Sequence, residues 1–163
     1  MRVTKRRKQA GIVAVIAVVL LGTLVFAYDK FSTSTGYIDP VDHTLVLRGQ
    51  QVYANNCAAC HGAKLEGQAN WRERLPNGRL PAPPHDASGH TWHHSDAVLL
   101  DLIKNGLVPG VTAPEGYESD MPAFKGRLSD QDIVAVTAYI KSVWSPQALA
   151  AQKEVTQEHP APR

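Results

Sequence analysis

The chain has 163 residues, 44% hydrophobic and 20% charged, which suits one globular domain with appendages and excludes a disordered or fibrous protein. Its net charge of +2 hides an asymmetry. Five of the 17 basic residues (Arg2, Lys5, Arg6, Arg7 and Lys8) precede residue 9, leaving 12 basic against 15 acidic side chains, a net −3, in the rest. That remainder has no basic patch, so nucleic-acid binding is excluded as a function.

Residues 10–28 carry no charged side chain. As a helix they would reach about 28 Å, close to a hydrocarbon core of roughly 30 Å. The basic cluster ahead of them stays cytoplasmic, so the rest of the chain is expected on the outer face of a bacterial inner membrane. The other reading is a cleaved signal peptide ending near Val25-Phe26-Ala27, although the apolar run is long for one. No cysteine lies nearby, which excludes a lipid anchor. Residues 29–43 are polar, with Ser, Thr, Gly and Pro, and read as a tether.

Thr44 to Asn56 has helical spacing, with Leu45, Gly49, Val52 and Tyr53 on one stripe. Gly49 weakens that helix unless another helix crosses closely there, and Tyr139 is its expected bulky partner. The stripe runs into Cys57-Ala58-Ala59-Cys60-His61, which holds the only two cysteines. Two thiols two residues apart with histidine following is the attachment pattern of c-type haem. On a helical turn both thiols share one face, each able to form a thioether with a haem vinyl group. His61 follows as the proximal iron ligand. Three rival uses exist for the pair. A disulfide across two residues is strained. A thioredoxin-like redox pair wants a βαβ context that is not visible. A zinc site from Cys57, Cys60, His85 and His90 has an over-long spacer rich in Pro and Gly.

Residues 63–94 show little periodicity and read as a long irregular segment wrapped around something, a haem edge being a candidate. Ser95 to Asn105 is a short amphipathic helix, with Ser95 as N-cap and Gly106 as stop. Residues 107–128 are again loop and contain Met121-Pro122-Ala123-Phe124. Ser129 to Trp144 is the clearest helix, opened by a Ser129/Asp132 capping box, with Ile133, Val136, Tyr139, Ile140 and Val143 as its apolar face. Pro146 is expected to end it, and residues 145–163 to form a loosely held polar tail.

This order of features resembles the class I monohaem cytochromes c over roughly residues 44–144. The resemblance implies an all-α cytochrome c fold, here with an N-terminal transmembrane helix. Its first and last helices cross, and one covalent haem c lies between them. It also implies Met121 as second axial ligand, and a proline carbonyl, from Pro83 or Pro84, accepting a hydrogen bond from the His61 ring. Such a bond fixes the imidazole plane. Trp92 or Trp71 would reach a propionate, core packing being the other use of each. The domain order is then an anchor or signal over 1–28, a tether over 29–43, the haem domain over 44–144 and a tail over 145–163.

One stretch departs from the plainest family pattern: His85, His90, His93 and His94 put four of the seven histidines into ten residues. A second metal is one reading and a solvated loop near the propionates is the other. The expected function is electron transfer between respiratory partners such as an oxidase, reductase or dehydrogenase, with no enzymatic activity of its own. A peroxidase-like enzyme with a labile sixth ligand and a permanent oxidase or dehydrogenase subunit are the alternatives.

Overall fold

The computed structural model describes residues 36–160, and each of its longer helices begins where a side chain caps the first turn. Helix α1 (His43–Asn56) starts after Asp42, whose Oδ1 accepts from Leu45 N at 3.1 Å. A one-turn helix α2 (Ala58–His61) follows, and a 3-10 turn covers Thr91–His93. Helix α3 (Asp96–Asn105) is capped by Ser95, and α4 (Asp130–Ser142) by the full Ser129/Asp132 box. Each such cap is worth about 1 kcal/mol. Among the described residues no helix is long and apolar enough to cross a membrane. The span over 10–28 and residues 29–35 of the tether lie outside the described residues.

The core joins α1, α3 and α4 through Tyr53, Leu99, Val136, Ile140 and Trp144, with Leu65 from the irregular segment. Of the apolar face expected on α4, Ile133, Val136 and Ile140 are buried, whereas Val143 is 45% exposed. Helices α1 and α4 cross at Gly49. A Cβ there would stand 1.9 Å from the Ala135 carbonyl oxygen and 2.8 Å from Tyr139 Cβ. The nearest neighbour is thus the Ala135 backbone, with the stem of the expected Tyr139 beside it. Backbone cannot swing aside as a side chain can. Gly49→Ala is therefore expected to lower unfolding stability by about 2 kcal/mol or more, overpacking outweighing the gain in helix propensity. Denaturant midpoints of the haem-bearing protein measure this. A midpoint equal to wild type would mean that the helices part freely.

One expectation is corrected beyond residue 144. Pro146 opens a further helix, α5 (Pro146–Glu158), with Ser145 as its N-cap. Proline at the first helical position loses no hydrogen bond, because that N–H has no intrahelical partner anyway. Ala148, Gln152 and Thr156 are buried at four-residue spacing, so this segment packs as a helix and is no loose tail. Its inner face is small and polar, which is why it lacked an apolar stripe.

What α5 covers is a buried ion pair. Lys141 Nζ lies 2.8 Å from both carboxylate oxygens of Asp96, and both side chains are fully buried. Gln152 Nε2 donates to the same carboxylate at 2.7 Å, and so does the backbone N–H of Ile38 at 2.7 Å. The Asp96 N–H donates to Thr156 Oγ1 at 3.1 Å. Lys141 Nζ also sits 3.7 Å from the centre of the Tyr37 ring. Tyr37 and Ile38 of the expected tether are therefore packed onto the domain, with Ile38 only 7% exposed.

Candidate cofactor site

The final turn of α1 carries Cys57 to the C-cap, its N–H bonded to Tyr53 O at 2.9 Å. From there the chain makes one more helical turn, with the N–H groups of Cys60 and His61 returning to Cys57 O at 3.1 and 2.9 Å. One turn sets positions three apart on a common face. Both thiols are free, Cys57 half-buried and Cys60 exposed. Burial, with Cys60 adding to it, pushes the Cys57 thiol up to about 11. A redox-active pair needs the opposite, a thiolate stabilised near neutrality. A thiol redox site is therefore a poor fit to this turn.

His61 is buried at the end of this turn, with Nδ1 2.8 Å from Pro83 O. A carbonyl oxygen can only accept, so Nδ1–H donates and Nε2 keeps its lone pair. Nε2 has no hydrogen-bond partner among the described residues. Burial lowers the pKa of His61 while the Pro83 bond works against that, leaving the ring neutral. Pro84 plays a different part. It is close-packed by two glycines: a Cβ on Gly67 would lie 2.4 Å from Pro84 N, and one on Gly89 2.1 Å from Pro84 O.

Of the further residues that hold this turn, His85 stood in the sequence only as a candidate ligand of a second metal, and Tyr53 and Trp144 were not visible as site residues. Tyr53 Oη is shared between the carbonyls of His61, at 3.2 Å, and Gly62, at 2.9 Å. The His85 ring stacks on His61 with centroids 4.1 Å apart, and its Nδ1 is bonded to Thr91 Oγ1 at 2.9 Å. Trp144 Nε1 donates to His85 O at 2.8 Å. Tyr53 carried one signal, since it stands a helical turn before Cys57. The carbonyl contacts of Trp144 leave no trace in a sequence.

The histidine-rich stretch is partly dispersed: the His90 and His94 rings stay in edge-on contact, 5.6 Å between centroids, while the others turn to different partners. His85 faces His61, His90 stacks on Trp71 at 5.4 Å, and His93 stacks on Trp92 at 3.6 Å. Burial lowers the pKa of His85, His90 and His94, most strongly for His85. Among the described residues no three His, Cys, Asp or Glu side chains gather as metal ligands would. Trp92 Nε1 is buried and has no partner, whereas Trp71 lies between His90 and Arg72.

Met121 comes from the loop between α3 and α4, half-buried, its N–H donating to Ser119 Oγ at 3.0 Å. The loop rejoins the fold just beyond it. Phe124 N donates to Ile103 O at 3.1 Å, Lys125 N to Lys104 O at 2.8 Å, and the Phe124 side chain is buried.

The cytochrome c family model matches residues 46–144, more than half of the chain. The chain belongs to the cytochrome c family. It is 31% identical over 104 residues to the cbb3-type cytochrome c oxidase subunit FixPc of Rhizobium leguminosarum bv. viciae, covering 64% of this chain and 30% of that protein. With the gluconate 2-dehydrogenase cytochrome c subunit of Pantoea cypripedii it shares 33% identity, over 63% of this chain and 21% of that one. Cytochrome c6 of Synechocystis is 33% identical over 95 residues, 58% of this chain and 62% of its own. The match therefore spans less than two thirds of each of these relatives. No solved structure matches. As a cytochrome c the protein carries one covalent haem c. The residues on the turn suit that group: two free thiols on one helical turn, followed by a buried histidine whose Nε2 has no partner among the described residues.

Proposed function

We propose that this cytochrome is an electron carrier of the outer face of a bacterial inner membrane, held there by residues 10–28, passing electrons between respiratory partners. When bound, the haem supplies a reversible one-electron couple at iron. Cys57 and Cys60 form the thioether links. His61 would hold the iron through Nε2, with Pro83 O fixing its ring plane and raising its basicity. Met121 would supply a second ligand to the iron, which would leave no open position for a substrate. The observation that carries the reading is the buried His61, directly after two free thiols and locked in one tautomer by Pro83. A second reading, a cytochrome docked permanently in a larger oxidoreductase, is favoured by the relatives named as oxidase and dehydrogenase subunits. Co-purification of such a complex from solubilised membranes separates it from a free carrier.

The test combines attachment with access. Haem colour is expected to stay with the polypeptide on a denaturing gel and to resist acid-acetone extraction, and the reduced protein to bind carbon monoxide only slowly. Extractable haem overturns the thioether assignment. Fast carbon monoxide binding with peroxide turnover replaces the carrier by an enzyme.

A further inference from the structure

The loop that carries Met121 is fastened at both ends and sparsely held in the middle, where the Arg74 guanidinium lies 5.8 Å from the centre of the Tyr117 ring. Its start is closed by Thr112, whose Oγ1 accepts from Val108 N and donates to Gly106 O. Its end is closed by the backbone bonds of Phe124 and Lys125. Between them, for residues 114–123, hydrogen bonds from outside the segment come from one side chain among the described residues, Arg79. Its Nε and Nη2 lie 3.4 and 3.2 Å from Glu118 Oε2, and Nη1 bonds Asp120 Oδ1. Glu118 and Asp120 flank Ser119, the residue that accepts the Met121 N–H.

Arg79 itself stands on a built turn. Leu75 N donates to Arg79 O at 2.8 Å, Arg79 N to Asn77 Oδ1 at 3.0 Å, and Arg74 Nη1 to Gly78 O at 2.5 Å. Four residues further on is Pro83, whose carbonyl holds His61. The guanidinium thus joins the segment that orients one proposed axial ligand to the segment that bears the other. A planar fork with several donors can hold two carboxylates at once, which a lysine ammonium does less well.

We propose that Arg79 is a positioning residue, a latch that holds the Met121 segment closed and thereby limits how often the Met121 thioether leaves the iron. This rests on Met121 being the sixth ligand. An exposed ion pair adds little to global stability. A loop held by few contacts opens locally, though, and its opening equilibrium responds to each of them. The latch therefore governs exchange at the iron and leaves the fold unchanged.

Cyanide binding to the oxidised, haem-bearing protein reads this directly, because Met121 must depart first. Arg79→Gln is expected to raise the cyanide association rate about two- to fivefold, the range an exposed pair supports. The thermal midpoint and the far-red sulfur-to-iron band should stay as in wild type. Arg79→Lys should fall between. The Glu118→Gln/Asp120→Asn double variant should reproduce Arg79→Gln from the other side. Raising ionic strength from about 0.05 to about 0.5 M should speed wild type toward the variant and leave the variant unmoved. A wild type that shows the far-red band, with Arg79→Gln binding cyanide at the same rate, overturns the latch. So does an acceleration that the double variant fails to reproduce. A wild type with no such band and immediate cyanide binding instead overturns the ligand assignment, and the latch with it.

Discussion

Met121→Ala is expected to lower the reduction potential, to abolish the far-red sulfur-to-iron band and to leave the haem attached. A thioether is a soft, neutral donor that favours reduced over oxidised iron, so its loss removes a preference for the reduced state. Axial ligands help set haem potentials over about 0.8 V, and the expected fall is on the order of 100 mV or more. The thioethers proposed at Cys57 and Cys60 and the His61–Pro83 bond do not involve Met121, which is why the colour should stay with the chain. The vacated position should bind carbon monoxide and cyanide readily and gain some peroxidase activity. Redox titration and stopped-flow mixing measure all three. An unchanged potential, with wild-type ligand-binding rates, would remove Met121 from the coordination sphere.

Lys141→Met is expected to be the most destabilising single change outside the haem turn. It leaves the Asp96 carboxylate fully buried without its cation, and breaking a buried pair from one side costs about 3–5 kcal/mol. A domain of this size has only about 5–15 kcal/mol of stability. The remaining donors to Asp96, Gln152 Nε2 and Ile38 N, hold the loss toward the lower end of that range. The double variant Asp96→Asn/Lys141→Met, which buries no net charge, should recover much of it. Equilibrium denaturation of the haem-bearing protein checks both. A single variant within about 0.5 kcal/mol of wild type, the scatter of ordinary surface changes, would show that the pair is solvated.

The parts of the fold that could be read from the chain were those written locally. Caps at Ser95 and Ser129, and stripes of apolar side chains, marked α3 and α4 within a residue or two. The stripe through Gly49 and Tyr53 marked α1, and both residues are buried. What escaped was non-local or carried by backbone. Asp96 and Lys141 are 45 residues apart, and Lys141 follows Ile140 on a face that looked apolar. Helix α5 hides its contacts behind Ala148, Gln152 and Thr156, none of them strongly hydrophobic. At the site, the choice between Pro83 and Pro84 depended on which carbonyl the loop turns toward His61, and only the fold decides that. The four histidines looked like one cluster because sequence distance is short. Stacking on His61, Trp71 and Trp92 sends three of their rings to separate partners.

The Ile38–Asp96 bond also has a mechanical meaning. Tension applied from the N-terminal side of the domain would meet Tyr37 and Ile38 before it reached α1. At Ile38 it would load the carboxylate that α4 and α5 also grip, through Lys141 and Gln152. Force is then shared at once between helices distant in the chain, so α1 is shielded from being peeled away residue by residue. A tug that reached α1 would reach Cys57 and His61 too; placed as it is, the polar knot takes the strain upstream of the residues proposed to hold the haem.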